Sequence, residues 1–342
     1  MIRILAAVAL LLPVAAQAQV RVGWCAKTLS AAAAPLAVAQ KLGWFGFTVQ
    51  PVPMAGSTDC VKNVATGQVG YAIASIEPLA IIRPQGVKAL NYYTAYQGNI
   101  YGIAVPEGSP VQSIADLRGK RIGVTSMASG GVIVARALVA NAGMDPDKDV
   151  KIVVAGEGAQ TAALLRSNQV DALSQFDTQY ALAIAAGAKL RMLDNRTIER
   201  FPSNGLIALE DTLTNKRAEA VALARGYAMG TIFTLANPEA AIRITYEVYP
   251  QVKPTGKDEA TAIADDIRTI EARAKNWRLE AGGVTRWGEN SEVNYDAYID
   301  FLIQQGVVKQ KVPTNELVTN ALIEDINRFD TAAIQAQAKA YK

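Results

Sequence analysis

From residue 20 onward, short apolar runs alternate with longer alanine-rich segments, and the breaks between them carry Gly, Ser or Asn. Short apolar runs closed by such breaks predict strands over 20–24, 47–53 and 69–74. Helices are predicted over 32–42, stopped by Gly43, and from the capping cluster Ser57-Thr58-Asp59 to residue 65. The same grammar resumes after the Pro- and Gly-punctuated segment 106–110, with strands over 121–124, 151–154, 170–174 and 189–193. Helices over 132–142, 159–166 and 178–186 separate them. A last strand-like run, 206–209, follows Phe201-Pro202-Ser203-Asn204-Gly205, and from 215 onward the pattern is mostly helical. Alternating strands and helices predict an α/β fold with two parallel-type sheets flanked by helices.

The helical tail has no obvious sheet of its own, so it is expected to pack back on the first module. That makes the first lobe discontinuous, 19–103 with 208–342, around a second lobe at 104–207. The chain then crosses between lobes twice, and a two-segment hinge is expected near 102–106 and 205–208.

The residues before the first strand change the picture of where the protein works. Arg3, an apolar run over 4–14 and the small-x-small triplet Ala16-Gln17-Ala18 have the form of a cleaved signal peptide, 1–18. The run is too short to span a bilayer, which takes roughly 20 residues. Export to a periplasm follows, with no cysteine at the cleavage point to carry a lipid. The formal charge is +3 with charges scattered and no basic stripe, which argues against nucleic acid as a partner. Cys25 and Cys60 are the only cysteines. In an oxidising compartment a single disulfide is the economical reading, with two unpaired buried thiols as the alternative. The chain contains no histidine and no paired-cysteine spacing, so neither a metal nor another cofactor is expected.

Three segments carry a family likeness. SIADLRGKRIGV at 113–124 resembles the segment that opens the second lobe of type II periplasmic binding proteins, and GQVGYAIAS at 67–75 is similar to one in their first lobe. NQVDA at 168–172 repeats the theme, and the tail segments 287–308 and 320–329 extend the likeness over nearly the whole chain. The group resembled is that of ABC-transporter receptors for nitrate, sulfonates, taurine and thiamine-pyrimidine precursors. The resemblance implies a monomeric two-lobed receptor that hands a small molecule to a membrane permease driven by a cytoplasmic ATPase. The chain has no G-x-x-x-x-G-K-[ST] loop, so ATP hydrolysis would belong to that partner.

Strand ends select the candidate ligand residues, because ligands of open α/β sheets sit beyond them. In the second lobe, Ser126, Ser129 and Gly130 lie between a strand and a helix start, where free N–H groups and the helix dipole favour an anion without any arginine. The first lobe offers Trp24, Lys27, Thr28 and Ser30 after one strand, Gly56, Ser57 and Thr58 before a helix, and Ser75 after another strand. Cys25 and Cys60 fall in these loops, so a disulfide there would brace one wall. Tyr92, Tyr93, Tyr96 and Tyr101 cluster before the hinge; Tyr96 and Tyr101 are the candidates to stack on a planar ligand, whereas at most one of the adjacent pair can face a pocket. Glu157 and Asp177 follow strands and precede helices, and either could bond a ligand amine or cap the next helix.

Enzymes of this likeness, the fungal-type thiamine-pyrimidine synthases, use a histidine as a reaction partner, and this chain has none. The G-x-S-x-G elbow is also missing. The expectation is therefore a non-catalytic receptor for a small organic molecule, anionic or aromatic, coupled to a permease. A sensor docking on a histidine kinase is the alternative.

Overall fold

The structure, a computed structural model, describes residues 19–341, so the expected leader lies outside the described residues. Ten strands form among the described residues: β1 (Gln19–Trp24), β2 (Thr48–Pro53), β3 (Tyr71–Ala74), β4 (Ala89–Thr94), β5 (Tyr101–Pro106), β6 (Arg121–Val124), β7 (Lys151–Val154), β8 (Ala172–Phe176), β9 (Leu190–Met192) and β10 (Gly205–Leu209). They make two five-stranded sheets, ordered β2-β1-β3-β10-β4 and β7-β6-β8-β5-β9. Helices flank both, and the result is the two-lobed α/β architecture expected.

Two expectations change. The sheets are mixed: β1, β2 and β3 run parallel, as do β6, β7 and β8, but β10 runs against both its neighbours and so does β5. The antiparallel strands are those that enter a sheet directly from the other lobe. The crossings also move. Residues 102–106 lie inside β5 and 205–208 inside β10, and the chain passes between the sheets at 95–100 and 193–204. The reason is legible in burial: Tyr101 to Val105 are all buried, the near-continuous apolar run of a central strand, so the Pro-Gly punctuation that follows marks the end of β5 and not a linker.

The tail packs against the first lobe. Its helix Arg217–Ala236 lies on helix Ala34–Lys41 so closely that a Cβ at Gly230 would stand 2.0 Å from the Pro35 carbonyl oxygen. A buried polar knot ties later tail residues to β4: Asn91 Nδ2 donates to Asn290 Oδ1 and to the Tyr295 hydroxyl, both at 2.8 Å, and the Thr94 hydroxyl donates to Asn290 Oδ1 at 2.7 Å. These bonds pair most of the buried polar atoms of the knot, with Asn91 Oδ1 left without a partner, and the pairing is what makes a polar cluster under a sheet tolerable. One tail helix, Glu259–Trp277, does more, because it reaches across to helix Asp177–Ala185 beside the second sheet.

Candidate functional site

The ends of β1 and β8, the first crossing segment and the end of the second converge on a cavity between the lobes. Its walls are aromatic: Trp24 from the end of β1, Tyr96 from the first crossing, Tyr101 at the start of β5 and Phe176 at the end of β8. Polar groups come from Ser30, Thr178, Gln179, Asn204 and Arg273. Free space here is about 30 Å³, room for little more than a water. Tyr101 and Phe176 meet edge to face at 6.1 Å, and the Tyr101 hydroxyl donates to Asn204 Oδ1 at 3.4 Å. Burial pushes the Tyr101 phenol well above its ordinary range, so it stays a neutral hydroxyl.

Of the candidates from sequence, Trp24, Ser30, Tyr96 and Tyr101 line this cavity, and Cys25 lies in its wall. Cys25 and Cys60 are disulfide-bonded, Cα to Cα 5.9 Å, which fastens the loop after β1 to helix Ser57–Ala65. Trp24 is held in place by its Nε1–H, which donates to the Thr28 carbonyl at 3.0 Å.

Other candidates meet in the seam where the lobes touch. Lys27 N–H and the Thr28 hydroxyl donate to the two carboxylate oxygens of Glu157, at 3.0 and 2.7 Å. The Ser126 hydroxyl donates to the Ala55 carbonyl across the cleft, and Thr58 N–H donates to the Ala128 carbonyl at 3.1 Å. Ser129 caps its helix through Gly131 N–H at 3.1 Å, and Ser57 Oγ accepts from Ser75 N–H at 3.1 Å. The seam is tight: a Cβ at Gly56, whose φ is +155°, would lie 2.5 Å from the Ala128 oxygen, and one at Gly130 would lie 3.0 Å from the Ser75 hydroxyl oxygen. In this closed form the helix start at Ser126 to Gly130 is therefore covered by the first lobe's own backbone.

Tyr92 and Tyr93 both face protein, Tyr92 against Tyr71 at 6.1 Å and Tyr93 against Tyr227 at 5.8 Å. Asp177 does bond its own helix start, through Thr178 N–H at 2.7 Å, but its main partner lies far away in sequence. Arg273 Nε donates to both Asp177 oxygens, at 2.9 and 2.8 Å, Nη2 donates at 2.6 Å, and Asn276 Nδ2 adds a bond at 2.9 Å. The Arg273 guanidinium also lies 4.0 Å from the Tyr96 ring centre, a cation–π contact in a desolvated setting. Burial opposes the charge on Arg273, and the facing Asp177 carboxylate more than offsets this, leaving the guanidinium firmly protonated.

The expectation of an anion cap that works without an arginine is thus overtaken by a cavity wall that contains one. Arg273 was missed because it stands 96 residues from Asp177 in a segment that reads as a plain helix. A signal was present. Ile263, Ile270 and Trp277 recur every seven residues on the buried face of helix Glu259–Trp277, and Arg273 falls on that face three residues after Ile270 and four before Trp277. A cation inside an apolar stripe requires a buried partner.

On the other side of the ion pair, a wider groove of about 820 Å³ runs along both crossing segments, past Asn99, Arg196, Arg200 and Lys275. Apart from Asp177 its charged side chains are exposed, whereas the aromatic cavity is enclosed by residues from both lobes, most of them buried, so the cavity is the stronger candidate site.

Known proteins place the chain in context. It is 25% identical over 189 residues to the riboflavin-binding protein RibY of Chloroflexus aurantiacus, a match covering 55% of this chain and 53% of that protein, so the chain spans about half the length of this curated relative. Its fold is similar to that of a Bordetella bronchiseptica protein, with TM-score 0.71 and 20% identity over 91% of this chain and 97% of that one. It is also similar to the alkanesulfonate-binding protein SsuA of Xanthomonas axonopodis pv. citri bound to MOPS, with TM-score 0.66 and 17% identity over 89% and 99%. Residues 30–241, well over half of the chain, match a family described as NMT1/THI5 like, and the chain belongs to that family.

Proposed function

We propose that this protein is the periplasmic solute-binding receptor of an ABC importer and that its ligand is a small aromatic organic molecule. The observation that carries the reading is the aromatic cavity assembled from Trp24, Tyr96, Tyr101 and Phe176, because neither lobe can build it alone. A ligand touching both lobes favours the closed form by the contacts the open form lacks, and a permease that recognises the closed shape then senses occupancy. The lobes in this reading are 19–94 with 205–341 and 101–192, moving about the crossing segments 95–100 and 193–204. Riboflavin recognition by the RibY relative and sulfonate recognition by the SsuA neighbour support a binding role, and the former supports a planar ligand. The absence of histidine from the sequence weighs against a synthase.

The test is a thermal-shift screen of the protein against aromatic metabolites, flavins, pyrimidines and sulfonates, followed by calorimetry on the hits. An aromatic hit should lose at least tenfold in affinity in Phe176→Ala, which removes one wall of the cavity. Hits confined to aliphatic sulfonates, or unchanged affinity in that variant, would remove the aromatic reading.

A further inference from the structure

The aromatic cavity contains one buried cation, and its charge is already matched. Arg273 is 2% exposed. Its Nε and Nη2 are committed to Asp177, while Nη1 makes no hydrogen bond among the described residues. Arg273 lines the cavity; Asp177 borders the wide groove on the other side of the pair. Among the described residues no other cation lines the cavity. Lys27 is exposed at the rim, and the buried acid Glu77 acts electrostatically on the Tyr101 hydroxyl. A ligand entering the cavity meets a guanidinium with one donor nitrogen to offer and no net positive charge to neutralise.

We propose that Arg273 is a ligand-binding residue supplied by the C-terminal region, that its Nη1 takes an uncharged acceptor on the ligand, and that Asp177 sets this specificity by neutralising Arg273. The inference rests on the receptor reading above and deepens it. A carboxylate or sulfonate bound beside the existing Arg273–Asp177 pair would leave one buried negative charge uncompensated, which is strongly unfavourable in a desolvated site. A carbonyl oxygen or ring nitrogen accepts the same hydrogen bond and leaves the site neutral. Two lobes enter into this preference: Arg273 arrives on a tail helix packed on the first lobe, and Asp177 opens a helix of the second. Discrimination between neutral and anionic ligands is therefore complete only when the lobes close.

Matched probes of one shape separate the two cases: benzamide with benzoate, and nicotinamide with nicotinate, each titrated calorimetrically at neutral pH into the full chain. In the wild type the amide of each pair should bind at least tenfold more tightly than the carboxylate. Asp177→Asn frees the charge of Arg273 and should move that ratio at least tenfold toward the carboxylate. Because a buried guanidinium without its partner can prevent folding, the double variant Asp177→Asn with Arg273→Gln is measured beside it. It should fold, bind both members weakly and show no preference between them. A wild type that takes either carboxylate as tightly as its amide overturns the proposal, as does an unmoved ratio in Asp177→Asn or the failure of all four probes to bind. A hit of other chemistry in the metabolite screen would in that last case keep the receptor reading while this specificity fails; a failure of both would end both.

Discussion

Thr28 and Glu157 join the two lobes at the rim of the cleft, the Thr28 hydroxyl donating to Glu157 Oε2 at 2.7 Å beside the Lys27 N–H on the other oxygen. In the proposed closing motion these bonds form only when the lobes meet. Charge-assisted bonds at an exposed rim contribute about 1 kcal/mol after solvent competition, roughly a fivefold change in a closing equilibrium. Glu157→Ala should therefore weaken ligand affinity about fivefold while leaving the unfolding temperature of the ligand-free protein nearly unchanged. Small-angle scattering should report a larger ligand-free radius of gyration, and an unchanged radius with unchanged affinity would show that the rim does not govern closure.

Ser126 faces the Ala55 carbonyl across the seam, and Gly56 next to it leaves no room for a larger neighbour. Ser126→Trp should block closure outright and abolish binding, although the residue does not line the aromatic cavity. The fold of each lobe is untouched, so the unfolding temperature of the ligand-free variant should stay close to that of the wild type. Retained affinity in this variant would place the seam outside the closing path.

The Cys25–Cys60 bond spans 35 residues, and the chain-entropy treatment assigns a loop of that length about 4 kcal/mol of stabilisation. The double variant Cys25→Ser with Cys60→Ser should unfold at a clearly lower temperature and a lower denaturant midpoint. It should also bind more weakly, because the bond fastens the wall that carries Trp24 to the helix that carries Thr58. A variant as stable as the wild type would mean that the loop is held by its packing alone.

Glu77 is 1% exposed, and burial raises its carboxyl above the ordinary value of 4.5, with the Tyr298 hydroxyl donating to Oε1 and partly opposing the rise. The folded state therefore holds this proton more tightly than the unfolded chain. Stability from this group is full below pH 4.5 and is lost as the pH climbs from there through the raised folded-state value. Carboxylates such as Asp194, lowered to about 2 by Arg196 on the surface, act with the opposite sign and only in more acidic solution. Glu77→Gln keeps the acceptor for Tyr298 and removes the titration, so its advantage over the wild type should grow between pH 5 and pH 8. Parallel unfolding-temperature curves for the two proteins across that range would contradict the assignment.

Much of the fold was legible locally. Strand runs such as 121–124 and 151–154 match β6 and β7 to the residue, because a short apolar run between breaks has few other solutions. The crossings were not legible in the same way. Tyr101 to Pro106 and Gly205 to Leu209 carry the pattern of buried strands, and their sequence says nothing about which sheet receives them or in which direction. Candidate residues divided along the same line. Trp24, Tyr96 and Tyr101 were selected by strand ends and aromatic character, and they line the cavity. Thr58, Ser126 and Gly130 were selected by the same rule and meet the opposite lobe instead, because a start of a helix can face a ligand or a neighbouring backbone equally well.

By itself the sequence determined the α/β alternation, the helical tail and the residues able to line a site, since all of these follow from period and from backbone chemistry within a few positions of one another. Tertiary structure alone decided the pairing of Arg273 with Asp177, the covering of the Ser126 cap by Ala55 and the path of the chain between the sheets. The physical reason is that a buried charge and a closed cleft are satisfied by partners far along the chain, and no local pattern records which partner arrives.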